Sequence, residues 1–320
     1  MRIVRNRPEQ NEEAISSRRS VVAIGNFDGI HLGHRALLKK GRQLAGPSGS
    51  VAVVTFEPLP LAFFKPDNAP ARLSTVFQKL GLLRSAGVDI TWLMRFDGAL
   101  AALSARDFAE RILALELNAK AVVIGEDFRF GRGREGDVAM LRVLGDELGF
   151  EVETVPAVLC GGERVSSSGI RAKLAAGEFA SAADWLGRPF RMEGHVIRGA
   201  GLGRTLGYPT ANLAIRAQPS PVGGVLAAFS RIAGGPWLPA VTNLGRRPAV
   251  GGKEPLLEVH FFDLDRDLYG QRLEVQFVAK LRDELNFGSL DDLVAQMKRD
   301  EKEARRRLDE AGSPQDEPVG

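Results

Sequence analysis

The sequence predicts two domains of different kinds, a doubly wound parallel α/β sheet followed by an antiparallel sheet or small β-barrel that ends in one helix. Three observations lead there. Short β-branched runs alternate with helical periodicity as far as about residue 186, which favours parallel strands joined by right-handed crossovers. Beyond Leu186-Gly-Arg-Pro-Phe190 the runs are strand-like, separated by turns with no helix between them. A chain of 320 residues also fits two domains of roughly 100–200 residues each.

In the first half, strands are expected at Ser20–Gly25, Val51–Phe56, Ile90–Phe96, Ala121–Gly125 and Glu151–Val155. Helical patterns lie between them at about 33–45, 74–86, 104–117 and 135–148, the third opening on a Ser104…Asp107 capping pattern. Ligands of such sheets bind beyond the carboxyl ends of the strands. In the second half, strands are expected at Arg191–Arg198, Gly224–Ile232, Leu238–Leu244, Leu256–Phe262 and Arg272–Val278. A helix capped by Ser289, with Asp292 three residues on, should then bury Leu290, Leu293, Val294 and Met297. The last residues, from about 311, read as a frayed tail, and there is no internal repeat.

With 44% hydrophobic and 26% charged residues, each half can bury a core. No run reaches the ~18 apolar residues of a membrane span, and the first residues lack the apolar region of a signal peptide. The single cysteine, Cys160, excludes a disulfide framework and a cysteine-based zinc cluster. A soluble, cytoplasmic protein is expected. Its 43 basic and 40 acidic residues nearly balance despite a pI near 9.1, which hints at anionic small molecules and does not call for nucleic acid. An oligomer is compatible with all of this.

Two of the four histidines sit in GNFDGIHLGH, between the first strand and a helix. Helix N-terminal amides attract phosphate, and Gly29 and Gly33 allow close backbone approach. His31 and His34, three apart, project to one side of a helical turn and could donate to a triphosphate. By themselves such histidines are also compatible with a metal pair or a helix cap. Asp28 is the one nearby acid, which argues against zinc.

A second cluster begins the second half. A glycine-rich turn carrying Gly203 and Arg204 can wrap phosphate with backbone amides, although it lacks the lysine and helix of a P-loop. Thr210 and Asn212, two apart on an extended segment, share a face and offer oxygens suited to Mg²⁺. A turn with capping Thr and Asn explains the same residues. Glu258 and His260 share one face of a strand while Leu257, Val259 and Phe261 share the other. A carboxylate so held could take a proton from a hydroxyl, or simply belong to a solvated face.

The chain resembles the prokaryotic bifunctional riboflavin kinase/FAD synthetases. GNFDGIHLGH is similar to their H-x-G-H nucleotidyltransferase signature. Thr55-Phe-Glu-Pro58, Gly125-Glu-Asp-Phe-Arg-Phe-Gly131 and Arg164-Val-Ser-Ser-Ser-Gly-Ile-Arg171 follow in the family's order. G-x-G-R-x-L-G-Y-P-T-A-N-L resembles the flavokinase signature, and NLGRRPAVGG and LLEVHFFD continue it. The resemblance implies a Rossmann-like nucleotidyltransferase domain over 1–186 and a β-barrel flavokinase domain with its C-terminal helix over 187–320. It implies ATP-dependent phosphorylation of riboflavin to FMN, then transfer of AMP from ATP to FMN, giving FAD and pyrophosphate with Mg²⁺ as cofactor.

By the same resemblance His31 and His34 polarise ATP phosphates. Asn26, Asp28, Gly29, Gly33, Arg164, Ser167, Ser168 and Arg171 bind ATP in the first domain, and Gly203 and Arg204 in the second. Phe56, Pro58, Asp127 and Phe128 face the flavin, Thr210 and Asn212 hold Mg²⁺, and Glu258 is the base that activates the ribityl 5′-hydroxyl. The chain departs from the family pattern at Leu59 (commonly His), Gly169 (Arg), Leu226 (Tyr) and Ala249 (Thr).

Overall fold

The computed structural model describes residues 1–5, 19–199, 203, 206–215, 219–246, 255–264 and 266–314. Its internal contacts divide the chain into two units, Met1–Ser167 and Ser168–Gly320.

The first unit is built on a six-stranded parallel sheet. Its strands are β1 (Arg2–Arg5), β2 (Ser20–Ile24), β3 (Ser50–Glu57), β4 (Ile90–Arg95), β5 (Ala119–Gly125) and β6 (Glu151–Val155), in the order β1-β4-β3-β2-β5-β6. From β2 the chain winds first through β3 to β4 and then returns to β5 and β6 on the other side. The switch point therefore opens at the carboxyl ends of β2 and β5, where a ligand crevice forms. Central strands read as unbroken apolar runs because both faces are covered: Val21, Val22, Ala23 and Ile24 are all at most 2% exposed.

Helices α1 (Leu32–Ala45), α2 (Pro60–Phe64), α3 (Val76–Ser85), α4 (Gly98–Ala101), α5 (Ala105–Asp107, continuing in π geometry to Glu116) and α6 (Val138–Leu148) fill the connections. Ser104 accepts from the Asp107 amide as its capping pattern predicts (3.0 Å). A small hairpin, β7 (Leu159–Cys160) with β8 (Glu163–Arg164), precedes α7 (Ser167–Ala176). The four predicted helices are present within a few residues of their expected ends. The edge strand β1 and the short α2 and α4 are additions, too brief to carry a periodic signal.

In the second unit α7 is followed by α8 (Phe179–Leu186), which the sequence reading omits, and then by a closed antiparallel barrel. Its strands are β9 (Arg191–Ile197), β10 (Ala211–Ala214), β11 (Gly224–Ile232), β12 (Trp237–Arg246), β13 (Pro255–Phe261) and β14 (Arg272–Arg282), closing in the order β10-β13-β12-β11-β14-β9. Closure leaves no exposed edge. Strand β11 is buried almost throughout because its inward side chains fill the barrel and its outward ones, Ala227 and Phe229, lie beneath the last helix.

That helix, α9 (Leu290–Ala311), is capped by Ser289, which accepts from the Asp292 amide (3.1 Å). The expected apolar stripe is displaced, however. Leu290 is 60% exposed and Leu293, Val294 and Met297 are half-buried, whereas Asp300, Ala304 and Leu308 are buried. The second half of the helix docks on the barrel, fixed by Arg282 of β14. The Arg282 guanidinium reaches both oxygens of Asp300 at 2.7–3.1 Å.

Candidate active sites

In the first unit, the segment between β2 and α1 holds two imidazoles in contact. His31 caps α1, its Nδ1 accepting weakly from the His34 amide (3.4 Å), and the two rings stack with centroids 3.7 Å apart. Gly33 makes room for this arrangement, since a Cβ there would stand 3.1 Å from the His31 ring. His34 also lies against Phe27 (5.0 Å), and its Nδ1 is buried without a partner. Burial first, then the neighbouring His31 and Lys79, hold His34 well below the ordinary imidazole range, so its ring is neutral.

The loop is gripped from behind by the segment leading into α3. The Asp28 carboxylate is 1% exposed and accepts from the amides of Leu73 (3.1 Å) and Ser74 (3.2 Å). The Gly29 amide donates to Ser74 Oγ (3.1 Å). Asp28 and Gly29, expected among the phosphate ligands, thus shape the loop here, because buried polar groups must find partners. The Asn26 carbonyl accepts from Thr55 Oγ1 and from Lys79 Nζ, both at 3.0 Å. Lys79 is fully buried. Burial, then Arg72, pulls its ammonium down to about 8, against the opposite pull of Glu57 and Asp28.

Ser167, the first residue of α7, donates to the Asp28 carbonyl (3.1 Å), which ties a second helix start to the same loop. Ser168 and Arg171 lie further along α7. On the loop after β5, Asp127 pairs with Arg164 of β8 (2.6 Å), and Phe128 stacks on Phe130 (5.6 Å). At the end of β3, Phe56 meets Phe96 edge-on (5.8 Å), and Phe63 and Phe64 close on the same ring at 5.5 and 5.7 Å. Phe63 and Phe64 remain 37% and 62% exposed. Exposed Pro58 lies beside this aromatic group in sequence, and Leu59 is buried at 3% exposure. The departure at Leu59 therefore fills a core position with an apolar side chain.

In the second unit, Asn212 and Glu258 are direct partners between β10 and β13. Asn212 is 6% exposed; its Nδ2 donates to the Thr210 carbonyl (3.4 Å), and its Oδ1 is buried with no partner. His260 Nδ1 donates to the Pro209 carbonyl (2.9 Å) and so holds the Pro209-Thr210 segment against β13. The alternation predicted for 257–261 is observed, with Leu257, Val259 and Phe261 inward.

The glycines of the preceding turn have a steric reason. A Cβ on Gly199 would overlap the Asn212 amide, its carbon 2.6 Å away, and one on Gly203 would overlap the Tyr208 carbonyl and stand 3.2 Å from Thr210 Oγ1. Arg204 and Ala249 lie outside the described residues. Leu226 is fully buried in the barrel wall.

Comparison with known proteins agrees with this division. A family model for FAD synthetase matches residues 13–169, and one for riboflavin kinase matches residues 186–308. The bifunctional riboflavin kinase/FMN adenylyltransferase of Escherichia coli is 46% identical over 289 residues, 89% of this chain and 91% of that one. Its counterpart in Haemophilus influenzae is 41% identical over 285 residues, with 89% and 92% covered.

The chain belongs to the bifunctional riboflavin kinase/FMN adenylyltransferase family.

A crystal structure of a macrolide-efflux protein from Streptococcus pneumoniae also superimposes. Its TM-score is 0.78 at 30% identity, covering 95% of this chain and 99% of that one. Among the described residues of this chain, no helix is long and apolar enough to cross a membrane. Within the family frame, sequence reasoning misses Lys79, Arg72 and Ser74 behind the histidine loop, Phe63, Phe64 and Phe96 beside Phe56, and Asn243 beside Glu258. The run Arg72-Leu-Ser74 shows no motif. Pro60-Leu-Ala-Phe-Phe64 is aromatic-rich directly after Thr55-Phe-Glu-Pro58, a signal that could have been read.

Proposed function

We propose that the protein makes flavin cofactors in two ATP-dependent steps. The module 187–320 phosphorylates riboflavin to FMN, and the module 1–186 joins FMN to AMP from a second ATP, releasing pyrophosphate. The observation that supports this reading is the stacked His31–His34 pair in the first unit together with the Asn212–Glu258 pair in the second. Each lies within the stretch matched by the corresponding family model.

In the adenylyltransferase, His31 and the neutral His34 donate to phosphate oxygens as charge develops on the departing pyrophosphate. Asn26 and Gly33 line the approach from α1, and Ser167, Ser168 and Arg171 hold the far phosphates at the start of α7. Arg164, held by Asp127, takes part from the β8 side. Phe56, Pro58 and Phe128 receive the isoalloxazine of FMN, with Phe63, Phe64 and Phe96 extending that aromatic wall.

In the kinase, Glu258 takes the proton of the riboflavin 5′-hydroxyl as that oxygen attacks the γ-phosphate. The Gly199–Gly203 turn, with Arg204, encloses the nucleotide phosphates. The partnerless Asn212 Oδ1 and the Thr210 hydroxyl suit Mg²⁺, whose charge when bound offsets that of the phosphates. The substrates are small molecules, and the place of action is the cytoplasm.

The test is a time course with riboflavin, ATP and Mg²⁺, the flavins being separated by chromatography. FMN rising first and FAD following is the expected result. FMN without FAD refutes the first assignment; if added FMN is adenylylated while riboflavin stays unchanged, the second fails.

A further inference from the structure

Asn212, Glu258 and Asn243 occupy one register row across three adjacent strands of the barrel. Asn212 pairs with Glu258 between β10 and β13, and Glu258 pairs with Asn243 between β13 and β12. Directly opposed residues in an antiparallel ladder place their side chains on the same face. The next row, Leu213, Leu257 and Leu244, is at most 4% exposed and fills the barrel interior. The Asn–Glu–Asn row therefore faces outward.

Outward placement makes the state of Asn243 unusual. Its Oδ1, like that of Asn212, is shielded from solvent and accepts no hydrogen bond. Two residues along β12, the Glu284 carboxylate packs directly onto the backbone at Gly245, where a Cβ would overlap it. The row thus brings together two carboxamide oxygens without donors and a carboxylate, with a further carboxylate beside it. Such an acceptor-rich strip is completed by a group that donates.

Two donors present themselves, a hydrated cation and a substrate hydroxyl, and spacing separates them. Strands lie about 4.8 Å apart, so Asn243 stands roughly 10 Å from Asn212 with Glu258 between them. Mg²⁺ binds its ligands at about 2.0–2.1 Å. A cation held at Asn212 therefore lies beyond reach of Asn243, whereas the alcohol that Glu258 deprotonates passes directly beside it.

We propose that Asn243 is a substrate-contacting residue of the kinase site, its Oδ1 accepting a hydrogen bond from a hydroxyl of the polyol chain of riboflavin. It selects a polyhydroxylated alcohol and holds the chain while Glu258 acts on its end. This rests on the kinase reading of the second unit and adds to it a determinant of substrate choice.

The test uses the full-length chain with Asn243→Leu, an apolar replacement of similar size, and Asn243→Ala, which removes the amide without adding bulk. Riboflavin affinity is read from fluorescence quenching in the presence of MgADP, and MgADP affinity from calorimetry without flavin. Adenylylation of supplied FMN reports on folding. Both variants should bind riboflavin about tenfold more weakly, with MgADP affinity and FAD formation from FMN unchanged. Unaltered riboflavin affinity in either folded variant overturns the proposal. So does a loss confined to MgADP, which would place Asn243 on the cation side. If the unsubstituted protein itself neither binds nor phosphorylates riboflavin, the kinase reading fails and the proposal with it.

Discussion

His34 shows how a single side chain acquires its state from its surroundings. An exposed imidazole is half-protonated near pH 6.5. Desolvation, His31 and Lys79 keep His34 neutral well below that. The unfolded chain binds this proton near pH 6.5 and the folded chain only at lower pH, so acidification favours unfolding. The contribution is intact above pH 6.5 and declines as pH falls toward the folded value. Thermal melts of His34→Gln should lose part of the acid sensitivity that the unsubstituted protein shows below pH 6.5. An unchanged profile would mean that the ring is not buried neutral. Lys79 has the same sign for a cation. With its ammonium held at about 8, the folded state disfavours the charged form throughout neutral pH. Lys79→Met should then melt no lower at pH 7 while slowing FAD formation about tenfold, because the Asn26 carbonyl loses one of its two anchors. A lower melting temperature with full activity would reverse that reading. Neither state was legible beforehand: Lys79 is 53 residues from Asn26 and carries no motif.

The glycine positions between β9 and β10 and the docked helix α9 each depend on close contacts. At Gly199 and Gly203 the backbone lies against the Asn212 amide and the Tyr208 carbonyl, with no space for a Cβ. Gly199→Ala should displace Asn212 and reduce riboflavin phosphorylation at least about tenfold, measured as FMN formed per minute. Adenylylation of added FMN should be untouched. Helix α9 has a polar anchor where the sequence suggests an apolar one. Asp300 is 7% exposed and accepts from Arg282 on both oxygens, Nε donating to Oδ1 (3.1 Å) and a terminal nitrogen to Oδ2 (2.7 Å), with Gln296 donating to the same carboxylate (2.7 Å). Removing one member strands the other in a poorly solvated position, so Asp300→Ala should cost about 3–5 kcal/mol in a denaturant titration. A loss within ~0.5 kcal/mol would show the pair to be a surface bond only. Helix periodicity located α9 and Ser289 its start. It did not identify the docked half, because the apolar residues near Leu290 and the charged stretch around Asp300 point to the wrong end.

On the proposed assignment the two chemistries belong to separate residues of one chain, so they should be divisible and open to recombination. His31→Ala should form FMN and no FAD. Glu258→Gln should adenylylate supplied FMN and leave riboflavin unconverted. Mixed together with riboflavin and ATP, the two variants should restore FAD after a lag that shortens as protein concentration rises, since FMN must cross through solvent. FAD absent from the mixture, with each single activity intact, would show that FMN does not leave the chain on which it is formed.

Strand and helix periods, both capped helix starts, the change from alternating strands and helices to strands alone and the motifs proposed for both sites were all present in the order of amino acids. Each is a local property: alternation, a cap three residues from its partner, glycines next to a phosphate-directed side chain. The additional features join residues distant in sequence. Arg72, Ser74 and Lys79 stand behind the histidine loop, Leu59 occupies a core position, and Asn243 comes level with Glu258 through the register of β12 and β13. Periodicity says which face of a strand a residue occupies and nothing about which residue lies opposite. That follows from barrel closure and core packing, which bring together parts of the chain that carry no mark of one another.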